Sequence, residues 1–169
     1  MTDLLGKRAF LSLGSNVGDR RAMLVAACDA IAALPGTTLV AASGICETAP
    51  HGYADQPDFL NQVLCVETAL EPHDLLTQCQ RIESEHGRVR GLRFGPRTLD
   101  IDILLFQDVE LEEPDLMLPH PRMLGRAFVL VPLAEVWHLA RGMPAFDVPQ
   151  LAQDAARKQP VRPYSAAEA

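Results

Sequence analysis

Aromatic residues are scarce in this chain, 5% of 169 residues with a single tryptophan. Positive charge is short as well: 15 lysines and arginines stand against 22 acidic residues, a formal net charge of −7. That balance argues against general nucleic-acid or anionic-membrane binding, since both need positive surface. The four cysteines (Cys28, Cys46, Cys65, Cys79) form no C-x-x-C pair and fall in apolar-patterned segments. Buried free thiols in a reducing compartment account for them better than a disulfide framework. No apolar run reaches membrane-spanning length, and Ala9–Gly14 is too short and too broken by glycine for a secretory leader. A cytoplasmic location is the expectation. The G-x-x-x-x-G-K-[ST] phosphate loop is missing, which removes the P-loop kinases.

What is present is one basic island. Arg88, Arg90, Arg93 and Arg97 occur within ten residues with no acid among them. Asp100 and Asp102 follow, two apart in an apolar run. On a strand they project together, roughly 6–7 Å apart, while Leu99, Ile101 and Ile103 face the other way. Two carboxylates at that spacing repel more strongly as water is excluded, and a divalent cation removes the conflict. Magnesium is commonly held by one or two carboxylates, with phosphates and water completing its shell. Arginine forks are the matching anion clamp. The stretch reads as a site for a nucleotide polyphosphate carrying magnesium. The bland alternatives are a solvated acidic face and a solubilising arginine loop.

The chain is long enough for one domain with a sizeable core. Residues 8–14 read as a strand ending in a turn, where Asn16 or Asp19 can cap a helix. Leu24, Ala27, Cys28, Ile31 and Leu34 share a helical face over 20–34, and Pro35-Gly36 ends it. A strand is expected over 38–47, another over 59–68, and between them a loop dense in proline, glycine and aspartate. Pro72 opens a second helix running to Gly87, with Leu75, Leu76, Cys79 and Ile82 inward. Gln80 and Glu83 are expected to share a different face of it. Gln107-Asp108 is expected to fold the Asp100–Asp102 strand back through Val109–Leu111. This order predicts an α+β protein with a ferredoxin-like split βαβ core, an antiparallel sheet with two helices on one face. The core runs over about 8–141. Within it, 119–141 are expected to add a Pro/His-containing loop and a helical segment. An alanine- and proline-rich extension follows over 142–169, with the last ten residues expected to be loose.

Arg93-Phe-Gly-Pro-Arg-Thr-Leu-Asp-Ile-Asp-Ile-Leu104 resembles the signature of the 6-hydroxymethyl-7,8-dihydropterin pyrophosphokinase family. Leu11–Asn16, Glu47–Pro50, Asp55–Asn61, Gln80–Glu83, Gly87–Arg90, Leu118–His120 and Arg126–Val129 resemble further family blocks in the same order. The likeness spans roughly 8–138. It implies transfer of the terminal pyrophosphate of ATP to the hydroxymethyl group of a reduced pterin, releasing AMP, in folate biosynthesis. It implies two magnesium ions on Asp100 and Asp102. Arg88 and Arg90 would sit on a closing loop, with Arg97 at the strand entrance. Gln80, Glu83, Ile103, His120 and Arg126 would surround ATP. Phe59 and Phe128 would sandwich the pterin. Asn61 would read its edge, helped by Thr48 and the loop at Ala49–His51. No general base stands out; solvent or Asp102 would take the proton. The expected partners are these small molecules alone, acting on a monomer.

The chain departs from the family pattern at several places. Phe59 replaces a tyrosine of some relatives, Ala49 a common proline, His51 an apolar residue and Phe94 a tryptophan. Pro121 follows His120 where an aromatic can occur, and the arginine loop is one residue shorter than in some members. Three rival readings are open on the residues alone. They are an RNA-binding ferredoxin-like module, a metal-dependent phosphohydrolase, and a ligand-binding relative without catalysis.

Overall fold

The computed structural model describes residues 6–50, 56–87 and 99–165. The arginine run 88–97 and His51 lie outside the described residues. Strand β1 (Lys7–Ser15) is an inner strand of an antiparallel sheet, paired with β4 (Phe59–Thr68) on one side and β5 (Asp100–Phe106) on the other. The far side of β4 is covered in two pieces. Strand β2 (Thr37–Ala42) pairs its second half and β3 (Cys46–Thr48) its beginning.

The single strand expected over 38–47 is therefore broken at 43–45. Ser43 carries the ladder across the break: its N–H donates to the Val63 carbonyl and its Oγ accepts from the Val63 N–H, both at 2.9 Å. Helices α1 (Arg20–Ala32) and α2 (Pro72–Glu85) complete the split βαβ arrangement. Asp19 caps α1, accepting from the Ala22 N–H at 3.0 Å, a contact that satisfies a donor the helix cannot. Asn16, the other candidate cap, instead donates to Gln56 and to the Pro57 carbonyl. Pro72 opens α2, and Gly87, at φ 78°, follows its end in the left-handed region open to glycine.

Period two sorts the sheet into two cores. Ala9, Leu11 and Leu13 of β1, with Ile101 and Ile103 of β5, bury against Leu24, Ala27 and Ile31 of α1 and Leu75, Cys79 and Ile82 of α2. Each such leucine or isoleucine contributes about 1.5–3 kcal/mol relative to exposure. Phe10, Val63, Cys65 and Leu105 point the other way, onto α3 (Ala127–Val136). That helix is apolar almost all round, as a helix between a sheet and another helix has to be. The other helix is α4 (Val148–Lys158), capped by Asp147 and buried at Val148 and Ala152.

Three expectations change here. The chain does turn after Phe106, with Asp108 at φ 57°, but meets β5 only at the Phe106–Val109 bridge. The following strand β6 (Leu111–Glu113) pairs instead with β7 (Leu116–Leu118) in a separate hairpin. Leu116 and Leu118 bury into the first core, and that burial decides the pairing. Nor are the residues beyond α4 all loose. Strand β8 (Arg162–Pro163) adds to the edge of β3, and the Tyr164 N–H donates to the Ile45 carbonyl at 2.9 Å. Finally, Gln80 and Glu83 do not share a face: Gln80 is exposed, while Glu83 is 4% exposed beneath β5.

Candidate active site

Alternation along β1 creates the site. Between the buried leucines its other face carries Phe10, Ser12 and Gly14, so bulk disappears toward the end of the strand. Helix α3 covers the bulky half. Over the bare half lies a cavity of about 470 Å³, within the range of small-molecule sites. Gly14 pairs with Asp100 on one side and Asn61 on the other, so the three stand in one row of the sheet. Ser12 pairs with Asp102 in the next row. By strand spacing the backbones of Asp100 and Asn61 are about 10 Å apart. Gly14 leaves room there: a Cβ on it would come 3.2 Å from Asn61 Oδ1, a tight approach.

Asp100 and Asp102 do project together into the cavity, both half-buried. Between them, the Ile101 N–H donates to Glu83 Oε2 at 2.8 Å. Glu83 thus reaches the pair from beneath, through the backbone. Ile103 borders the cavity from β5, while its side chain packs in the first core. Gln80 does not line the cavity.

The wall above the aspartates is the segment between β7 and α3. The His120 N–H donates to the Leu104 carbonyl at 2.8 Å, pinning the segment to β5. Burial, then Arg126 and Arg122, push the His120 imidazole down to about 4, with Asp100 opposing. His120 is therefore neutral at pH 7. Its Nδ1 lies 3.2 Å from the Arg122 N–H and accepts from it, which leaves the proton on Nε2 as a donor. Burial lowers the Arg126 guanidinium, opposed first by Asp102. The same guanidinium lies 5.4 Å from the Phe128 ring centroid, a cation–π distance.

At the other end Phe59, Asn61, Thr48 and Ala49 line the cavity, which Phe128 of α3 borders as well. Asn61 and Thr48 are both buried, and Asn61 Nδ2 donates to Thr48 Oγ1 at 3.0 Å, which orients the amide.

Sequence reasoning missed several walls. Ser12 and Gly14 were legible, as small residues alternating with leucines in an otherwise apolar strand. Leu76, Arg122 and the hairpin residues Pro114–Met117 carry no such signal. The hairpin is tied to α2 by His73 Nε2 at 2.6 Å from Glu113 Oε2.

Fold and cavity together define an α+β protein with a small-molecule-sized cavity over the open half of an antiparallel sheet. The model of the 7,8-dihydro-6-hydroxymethylpterin-pyrophosphokinase family matches residues 10–138, and the chain belongs to that family. It is 49% identical over 129 residues to a 2-amino-4-hydroxy-6-hydroxymethyldihydropteridine pyrophosphokinase of Methylorubrum extorquens, covering 76% of this chain and 82% of the relative. With the protein of the same name from Pseudomonas aeruginosa the identity is 52% over 130 residues, 77% of this chain and 80% of the relative. Among solved structures, wild-type HPPK-DHPS of Plasmodium falciparum with pterin and p-hydroxybenzoate has the same fold, with a TM-score of 0.69 at 15% identity. The match covers 94% of this chain but 44% of that longer one.

Proposed function

We propose that this cavity performs the family's reaction with the polyphosphate at the β5 end and the pterin at the β4 end. The chain is an ATP-dependent diphosphokinase: it transfers pyrophosphate from ATP to the hydroxymethyl group of hydroxymethyldihydropterin, a step in folate biosynthesis. The observation that carries the placement is the row Asp100–Gly14–Asn61 under one cavity. It supports an anion-and-cation end beside a ring-binding end, since Gly14 puts no side chain between Asp100 and Asn61.

Paired carboxylates that share one half-buried face are a donor set suited to magnesium, and Asp100 and Asp102 would hold it, two ions in the family pattern. Bound there, the cation supplies charge neutralisation of the phosphate oxygens. Arg126 and the His120 Nε2 donor supply hydrogen bonds on the same side, where charge develops as the β-phosphorus is attacked. Arg88, Arg90 and Arg97 complete the phosphate clamp in this reading. Asn61 offers both a donor and an acceptor to the pterin edge, and Thr48 holds its orientation. Phe59 and Phe128 stack on the ring faces, each worth about 0.5–1.5 kcal/mol beyond area burial. Ala49 and His51 finish the rim. The monomeric state and a cytoplasmic setting are part of the proposal; the free cysteines support a reducing compartment. No helix among the described residues is long and apolar enough to cross a membrane.

Incubation with MgATP and 6-hydroxymethyl-7,8-dihydropterin, resolving AMP from ADP, tests the reaction. Pterin-dependent AMP with equimolar pterin diphosphate is expected. Nucleotide cleavage independent of the pterin would point to a hydrolase.

A further inference from the structure

We propose that the segment Gln159–Tyr164 is a brace that sets the width of the pterin slot, with Arg162 and Gln159 as its positioning residues. The segment lies beyond the residues that match the family, so the family pattern assigns it nothing.

The geometry points to a brace because the two ends of this short segment grip opposite walls. At one end Gln159 caps the start of α3. Its Oε1 accepts from the Ala127 N–H and its Nε2 donates to the Gly125 carbonyl, both at 3.0 Å. Ala127 is next to Phe128, one wall of the slot. At the other end Arg162 reaches Asp58 Oδ2 at 2.7 Å and Glu47 Oε1 at 3.0 Å. Asp58 is next to Phe59, the other wall, and Glu47 is next to Thr48. Three residue steps, with only Pro160 and Val161 between, separate the grips, at most about 11 Å of chain. The spacing between α3 and the β3–β4 stem is thereby limited by that length of backbone together with the reach of the Gln159 and Arg162 side chains.

Other contacts stiffen the Phe59 end. Strand β8 pairs Arg162 with Glu47 and Pro163 with Cys46. Arg20, on α1, donates to Glu47 Oε2 and to the Asp58 carbonyl, and its guanidinium lies 5.9 Å from the Tyr164 ring centroid. One exposed ion pair would hold little, but here two arginines share Glu47 and meet at Asp58, with strand pairing behind them. A flat ring held on both faces needs a slot of constant width, and the Arg162 grip bears on that end through Asp58 and Glu47, whereas the Gln159 grip flanks Arg126 as well as Phe128.

The inference rests on placing the pterin between Phe59 and Phe128, and the test separates the two. Steady-state kinetics and amide hydrogen exchange are measured on the full-length enzyme and on Arg162→Gln, Arg162→Lys, Gln159→Ala and Asn61→Ala. Arg162→Gln is expected to raise the KM for the pterin about three- to tenfold, the range two exposed pairs acting together can supply. The KM for MgATP and kcat should not change, Lys should restore part of the loss, and exchange at Thr48 and Phe59 should quicken. Gln159→Ala should raise the pterin KM and quicken exchange at Phe128. An unchanged pterin KM in Arg162→Gln, or equal rises for both substrates, would overturn the brace. Should Asn61→Ala leave the pterin KM unchanged, the placement of the pterin fails instead. The exchange rates at Phe59 and Phe128 then decide the brace alone: faster in the variants supports it, unchanged refutes it.

Discussion

The two faces of the sheet share their strands and differ in what their side chains are for. Under α1 and α2 the first core is packed along its whole length, from Ala9 and Phe106 to Leu13 and Ile101, and meets the cavity only at the β5 edge, through Leu76, Ile101, Ile103 and Leu116. On the opposite face, apolar packing under α3 stops halfway. Phe10 and Leu105 give way to Ser12 and Asp102, then to Gly14, Asp100 and Asn61. One face holds the sheet rigid by burial, so the other can keep an unfilled end lined with polar groups. The arrangement works because a strand presents its two faces independently.

If that division is real, substitutions on the two faces should fail in different ways. The largest effect expected is Asp102→Ala, with turnover down by at least about 10²–10³-fold while the fold and melting temperature persist. Near-normal turnover would remove the metal assignment. Next comes Leu75→Ala on the closed face, where a fully buried side chain is lost. Urea unfolding should show a loss of about 2–5 kcal/mol, with both KM values unchanged while the enzyme is folded. A selective change in either KM would mean the faces are coupled.

Asn61→Ala should be milder than either, costing about 1–3 kcal/mol of pterin binding and leaving MgATP binding intact. Titration calorimetry with each substrate separates those outcomes. Gly14→Ala should do the same more weakly, since its Cβ would push on Asn61 Oδ1 from 3.2 Å.

The smallest effect is a pH dependence at the open end. The His120 imidazole is held down to about 4 from its ordinary 6.5. Between those values the unfolded chain binds more protons than the folded one, so stability rises with pH through that window. The contribution of His120 is complete above about pH 6.5 and is lost as pH falls toward 4. An NMR titration of the ligand-free enzyme should find this imidazole still neutral at pH 5.5, and His120→Gln should flatten the acid side of the stability profile. Titration near 6.5 would contradict the burial argument.

Local pattern revealed much of this. Leu24, Ala27 and Ile31 announce α1 by their spacing alone, and Asp100 and Asp102 announce a shared face, because side-chain direction on a helix or strand follows from the backbone repeat. The likeness to the family then singled out Phe59, Asn61 and Phe128, which the structure gathers around one cavity. Glu83 was expected to share a face with Gln80, and the structure buries it instead. Its position, four residues after Cys79, puts it on the buried stripe. The Ile101 N–H it accepts from is eighteen residues away and invisible to any local rule.

Distance along the chain marks the limit. Composition, period and motif order were enough to determine an antiparallel α+β core, free thiols buried at all but Cys28, a paired-carboxylate strand and the family's chemistry. Those properties depend on near neighbours or on blocks that stand in order. Tertiary structure alone decided that β6 turns to β7 rather than back to β5, because Leu116 and Leu118 had a core to enter. It alone decided that Arg162 would meet Asp58 across 104 residues. A two-residue strand has no periodicity to read; its partner is chosen by which edge is free and which charges wait beside it.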